Sequence, residues 1–257
     1  MHIPDGFINA GTSAAAGAVA VGCVAVSLRK ASRDLDDREV PLAGMTAAFI
    51  FAVQMLNFPV ASGTSGHLLG GVLAAVLVGP WVGALCVTVV LVVQALLFAD
   101  GGLSALGLNV LNMAIVGAWG GYLVFLGVRA LLPARRSSVV AASAVAAALA
   151  PVLAALLFTV EYAIGGNGAA ALGTVAAAMV GVHVLIGIGE GIITALTVSA
   201  VMATRPDLVY GARGLMAPAG RVSRSTPTST PTSRSRSRSR STDEAAAASP
   251  LPARGVR

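Results

Sequence analysis

The chain has 257 residues, of which 56% are hydrophobic and 11% charged, with a mean hydropathy of +0.84. Soluble domains carry about 25% charged residues, so this balance excludes an ordinary water-soluble fold and indicates an integral membrane protein. The net charge of +6 does not mark a nucleic-acid binder, because it is confined to three clusters. These are Arg29, Lys30, Arg33 and Arg38, then Arg129, Arg135 and Arg136, then ten arginines from Arg205 to Arg257.

A helix needs about 20 apolar residues to cross the hydrocarbon core, and seven spans are predicted at 8–28, 41–57, 66–79, 81–99, 104–128, 138–161 and 171–203. The second and third are short and bounded by Gly and Pro. The runs are too long for strands and lack period-two alternation. Small residues dominate them, which suits close helix–helix approach in lipid. Cys23 and Cys86 lie in apolar runs without metal or redox spacing and read as packing residues.

All seventeen Lys and Arg fall after spans one, five and seven, and none after spans two, four and six. The positive-inside rule then places the N-terminus outside and the C-terminus in the cytoplasm. The start lacks the basic segment of a signal peptide and carries Asp5 instead. It is expected to stay uncleaved, with Met1 retained because His is too bulky a second residue for efficient removal. The helical domain is expected to occupy 1–210. The remainder, 211–257, is rich in Arg, Ser, Thr and Pro and reads as a disordered cytoplasmic tail near anionic lipid.

The chemistry concentrates at two histidines. His2 follows the initiator Met, and His67 lies in GTSGHLLGG (Gly63–Gly71) at the outer end of span three. Met-His offers the Met1 amine, the His2 amide and the His2 imidazole, closing five- and six-membered chelate rings; His67 can add a fourth nitrogen. Planar nitrogen donors select Ni(II) or Cu(II), Co(II) also suits an imidazole-rich site, and zinc prefers a tetrahedral set. With an ordinary amine pKa near 8, proton release should make affinity rise with pH.

His183 and Glu190, seven residues apart on one face of span seven, read either as a polar clamp or as part of an ion path. Asn57, Asn109 and Asn112, with Gln54 and Ser65, are candidates for supporting hydrogen bonds or helix packing. Asp5, Asp100 and Glu161 put negative charge on the outer face, where it would concentrate cations. No G-x-x-x-x-G-K-[ST] pattern occurs and Lys30 is the single lysine, so ATP hydrolysis is not expected on this polypeptide.

MHIPDGF, QMLNFPVASGTSGHLLGG (Gln54–Gly71), ALLFADGGLSALGLNVLNMAIVG (Ala95–Gly117) and GVHVLIGIGEGIIT (Gly181–Thr194) together resemble the substrate-binding membrane component of cobalt/nickel energy-coupling-factor transporters, the CbiM/NikM family. The likeness covers Met1 to about Ala203 and leaves the tail without a counterpart. It implies a seven-transmembrane-helix bundle with the N-terminus inserted into its core. It implies a Co(II) or Ni(II) site at Met1, His2 and His67, the metal being cargo. It also implies a transmembrane coupling subunit, two ATPase subunits and, in many cases, a small accessory membrane subunit as partners. Two other classes stay open: a self-sufficient secondary transporter or channel using the His183/Glu190 face, and a scaffold acting through the Arg/Ser tail.

Overall fold

The computed structural model describes residues 1–34, 39–56, 58–59, 65–168 and 170–216. Asn57 and the tail from residue 217 lie outside the described residues, and of Ser65 only the backbone is described. The chain forms α1 (Ala10–Asp34), α2 (Val40–Gln54), a two-residue antiparallel pair β1 (Phe58–Pro59) and β2 (Ser65–Gly66), α3 (Gly71–Val78) and α4 (Pro80–Leu97). There follow α5 (Leu106–Asn109), a π-wound stretch (Val110–Gly120) and α6 (Gly121–Leu131), then α7 (Arg136–Gly165), α8 (Leu172–Thr204), two 3-10 turns and α9 (Arg213–Met216). Among the described residues, five helical stretches are long and apolar enough to cross a membrane: Ala10–Arg33, Pro80–Leu97, Leu106–Leu131, Arg136–Gly165 and Leu172–Thr204.

Helix therefore occurs at each of the seven predicted places, but α2 and α3 are shorter than the second and third predicted spans. At 1.5 Å per residue, the fifteen residues of α2 reach about 22 Å and the eight of α3 about 12 Å. Residues 67–70 are a non-helical loop rather than the first turn of a span. Every residue of α3 is buried, so this short helix is a plug inside the bundle. A lone non-helical stretch at membrane depth is tolerable only when protein groups satisfy its backbone, and here they do, as described below.

The helices are inside-out relative to soluble ones. Along α8 the residues facing the bundle are His183, Gly187, Glu190, Gly191, Thr194 and Val198, while Leu185, Ile188, Ile192 and Leu196 stand exposed. That is the arrangement lipid selects, because tails solvate apolar side chains and polar ones must be matched within the protein. Packing relies on absent side chains. A Cβ on Gly191 would meet the Ala144 carbonyl at 2.9 Å, and Gly71 abuts the backbone of Gly117, which brings α3 against the π-wound stretch.

The two ends of the bundle differ in charge. At one end the loops 98–105 and 165–170 close over the N-terminal segment through backbone bonds, Gly102 N–H to the Ile3 carbonyl at 2.8 Å and Asn9 N–H to the Gly165 carbonyl at 2.7 Å; neither loop has Lys or Arg. At the other end Arg213 pairs with Glu39 and stacks 4.4 Å over the Tyr210 ring. Val209 and Ala212 are fully buried there, so packing continues past residue 211.

Candidate metal centre

The first nine residues are non-helical, and a non-helical backbone in an apolar bundle must find partners for its N–H and C=O groups. It finds them residue by residue. The Ile3 N–H donates to Asn109 Oδ1 at 2.8 Å, and Asn109 Nδ2 donates back to the Ile3 carbonyl at 3.2 Å. Asp5 Oδ1 accepts from the Ser104 N–H at 2.7 Å and its hydroxyl at 2.6 Å, which holds the Asp5 carboxyl below its ordinary pKa. Asn167 Nδ2 donates to the Gly6 carbonyl at 3.1 Å, its N–H donates to the Phe7 carbonyl at 3.0 Å, and Ile8 bridges to Gly166. Met1 and Ile3 are consequently fully buried and His2 is 4% exposed.

His67 arrives from the opposite side on the loop before α3. Glu190 on α8 accepts the Leu69 N–H at 2.8 Å on one carboxyl oxygen and the Gly70 N–H at 2.9 Å on the other. Gln54 on α2 donates to the Leu69 carbonyl at 2.6 Å. The loop is thus gripped from two helices, and the carboxylate sits at the N-terminal, positive end of α3. His67 Nδ1 lies 2.8 Å from the Leu68 carbonyl. A carbonyl only accepts, so Nδ1 carries the proton and Nε2 presents a lone pair. That Nε2 is buried without a hydrogen-bond partner among the described residues.

These two pieces meet. The His2 and His67 rings are 4.7 Å apart between centroids, tilted by 33°. The Met1 amine, His2 and His67 interact electrostatically, and the amine also senses Asp100. Burial lowers the Met1 amine from 8.0 to about 4, against the opposing pull of Asp100. Burial and the adjacent amine lower His2 from 6.5 to about 3. Burial thus favours the neutral form of the amine, the form that binds metal.

The expected supporting residues divide. Asn109 clamps the N-terminal segment, as above. Asn112 donates to Glu161 Oε2 at 2.7 Å within the bundle, and Glu161 is 5% exposed. Glu161 is therefore a buried packing group and not part of an outer acidic surface. His183 is fully buried with Nδ1 on the Met179 carbonyl at 2.6 Å, and it is close enough to the Met1 amine and His67 to interact with both electrostatically. Glu190 accepts two N–H groups of the loop that carries His67. Among the described residues no three His, Cys, Asp or Glu side chains group as a metal cage.

The sequence reading assigned no role to the Gly101–Gly102 pair. Gly101 has φ +91°, and a Cβ there would lie 2.9 Å from His2 Nδ1 and 3.0 Å from Asn109 Nδ2. Gly102 passes against the Pro4–Asp5 backbone in the same way. The local sequence signal is the Asp-Gly-Gly turn, which says that the chain bends and not what it bends around.

The family described as "CbiM: Cobalt uptake substrate-specific transmembrane region" matches residues 2–208. The fused nickel transport protein NikMN of Rhodobacter capsulatus is 39% identical over 230 residues, covering 85% of this chain and 66% of that longer protein. The cobalt transport protein CbiM of Sorangium cellulosum is 36% identical over 220 residues, covering 81% of this chain and 94% of its own. A crystal structure of a transition metal transporter superposes with a TM-score of 0.73 at 32% identity, covering 79% of this chain and 93% of the other. The buried N-terminal histidine, the second histidine facing it and these matches lead to one conclusion: the chain belongs to the CbiM family of cobalt uptake substrate-specific membrane proteins.

Proposed function

We propose that this protein is the metal-capturing membrane component of an ATP-driven uptake system for Co(II) or Ni(II). It takes the ion from outside through the Met1 amine, the His2 amide and Nδ1, and His67 Nε2. The observation that carries this reading is the bare, buried Nε2 of His67 held beside the His2 ring. An unpartnered polar atom in a bundle core costs free energy, and a metal ion is the partner that repays it. The depressed basicity of the Met1 amine and His2 supports the same reading, since neutral nitrogens are the ones that bind metal.

The N-terminus lies at the extracellular end and the basic loops at the cytoplasmic end, a reading supported by the gathering of loops free of Lys and Arg over the site. Energy comes from separate subunits: a transmembrane coupling protein, two ATPases and a small accessory membrane subunit. The occurrence of a longer, fused relative supports the last of these. A self-sufficient transporter using the His183/Glu190 face is disfavoured, because both Glu190 oxygens are engaged by backbone N–H groups.

Ni(II) or Co(II) titrated into purified protein should bind stoichiometrically, and His2→Ala or His67→Ala should abolish binding. One extra residue before Met1 keeps both imidazoles while moving the amine out of the chelate. Unchanged affinity in that extended protein, or in both alanine variants, would refute the coordination.

A further inference from the structure

Asp100 is set against the imidazole of His2 by a strained turn. Ala99 adopts φ +50°, a left-handed conformation that an L-alanine takes at a cost, and Gly101 follows at φ +91°. The Asp100 N–H is tied back to the Gln94 carbonyl at 3.1 Å. The result is a carboxylate oxygen 3.5 Å from His2 Nε2, on the imidazole nitrogen that the chelate does not use. Nε2 is buried and makes no hydrogen bond to the described residues. It lines an open cavity of about 270 Å³ with Asp5, Asp100 and the Gly101–Gly102 backbone. Asp5 borders the same cavity, but its Oδ1 is committed to Ser104.

We infer that Asp100 is the positioning and charge-balancing residue of the metal centre, receiving the Nε2–H of His2 when Nδ1 binds the ion. This rests on the proposed coordination. Two physical arguments carry it beyond that reading. First, a histidine that ligates through one nitrogen needs its other N–H anchored, which fixes ring orientation and tautomer and raises the basicity of the ligating nitrogen. A gap of 3.5 Å closes to a charge-assisted bond with a small ring movement. Second, the charges must balance in a medium that penalises net charge. A divalent ion bound by a neutral amine, one deprotonated amide and two neutral imidazoles carries +1, and the Asp100 carboxylate cancels it. The sum takes only the formal charge of each group. One amidate and the Asp100 carboxylate, which lies 3.5 Å from His2 Nε2, bring the formal charge of the ion, its donors and Asp100 to zero.

The experiment uses purified full-length protein in detergent titrated with Ni(II) alone. Asp100→Asn keeps the shape and an acceptor oxygen but removes the charge, and Asp100→Ala removes both. Ni(II) affinity should fall by about 10-fold in Asp100→Asn and toward 100-fold in Asp100→Ala, with apo melting temperatures close to that of the native chain. The visible ligand-field band of bound Ni(II) should move to longer wavelength in Asp100→Asn, because a less basic imidazole is a weaker donor. Asp100→Glu should restore the native band in part. Native affinity and an unshifted band in both Asp100→Asn and Asp100→Ala, with His2→Ala failing to bind, would overturn the role of Asp100 while leaving the coordination standing. Native binding by His2→Ala would overturn both.

Discussion

Glu190 lies on α8 and yet decides where His67 points. Replacing it with alanine leaves the Leu69 and Gly70 N–H groups, now bonded at 2.8 and 2.9 Å, without acceptors in an apolar surrounding. Each buried group left unsatisfied costs about 1–3 kcal/mol, so Glu190→Ala should destabilise the apo protein by about 2–6 kcal/mol. Glu190→Gln retains one acceptor oxygen and turns an amide N–H toward the second donor, so its loss should be about half as large. Thermal unfolding of the purified protein in detergent measures the stability series, and Ni(II) titration of the same samples measures the site. Native should exceed glutamine and glutamine should exceed alanine in both, because the bonds that hold residues 69 and 70 also fix the His67 ring two residues earlier. Gln54→Leu, which strips the donor from the Leu69 carbonyl, should weaken Ni(II) binding in the same direction. Two results would refute the reasoning: Glu190→Ala melting with the native chain, or Glu190→Ala losing stability while binding Ni(II) with native affinity.

Gly101→Ala places a methyl group 2.9 Å from His2 Nδ1 on a backbone at φ +91°, a strain of about 1–3 kcal/mol; Ni(II) affinity should drop by at least about 10-fold, and native affinity would show that His2 is not held by this turn. The pH dependence should also be shallow: with the amine at about 4 and His2 at about 3, only the amide proton is displaced. Affinity between about pH 6 and 8 should then rise about tenfold per unit, whereas a free Met-His-Ile peptide, titrating all three nitrogens, should rise more steeply. Apo stability should climb over a related window. Both bases titrate lower in the folded chain than in the unfolded one, where they lie near 8.0 and 6.5, so the unfolded chain holds more protons above about pH 4. Melting temperature should therefore increase from about pH 4 toward 8, with each group contributing up to about 1.4 kcal/mol per unit, and a flat profile would contradict the burial of the amine.

Much of this was legible in the residues, for reasons that differ by element. α1, α4, α7 and α8 announce themselves because long uncharged apolar runs have no other stable form in lipid. α3 misled. Leu68 and Leu69 count toward a hydropathy window, and nothing local reveals that Glu190, 120 residues away, supplies the hydrogen bonds a helix would have supplied. Residues 67–70 are therefore free to be a loop, and that loop carries His67 into the bundle. Glu161 misled in the opposite sense. A carboxylate near the end of an apolar run looks like the start of a loop, whereas Asn112 makes it tolerable inside the bundle. On the proposed coordination, the Met1–His2 donors are legible because they are consecutive along one chain. The Asp100 contact, spanning 98 positions, is a product of the fold alone.

On the proposed coordination, the two halves of the centre are anchored independently before any metal arrives. Asn109 and Gly102 fix Ile3, immediately after the His2 donors, and Glu190 and Gln54 fix the loop that carries His67. Donors that are held from both sides cannot rearrange freely to suit whichever ion enters. Because the amine, amide and imidazole of the first two residues belong to fused chelate rings, they impose a nearly planar arrangement on three of the four positions. An ion that prefers a tetrahedral set, as zinc does, would have to break that plane or the bonds behind it. Affinity for isolated nitrogen donors separates neighbouring first-row metals poorly, so selectivity must come from geometry. The buried bonds to Ile3, Leu69 and Gly70, none of which touches the ion, are then what turns a sticky nitrogen cluster into a discriminating one.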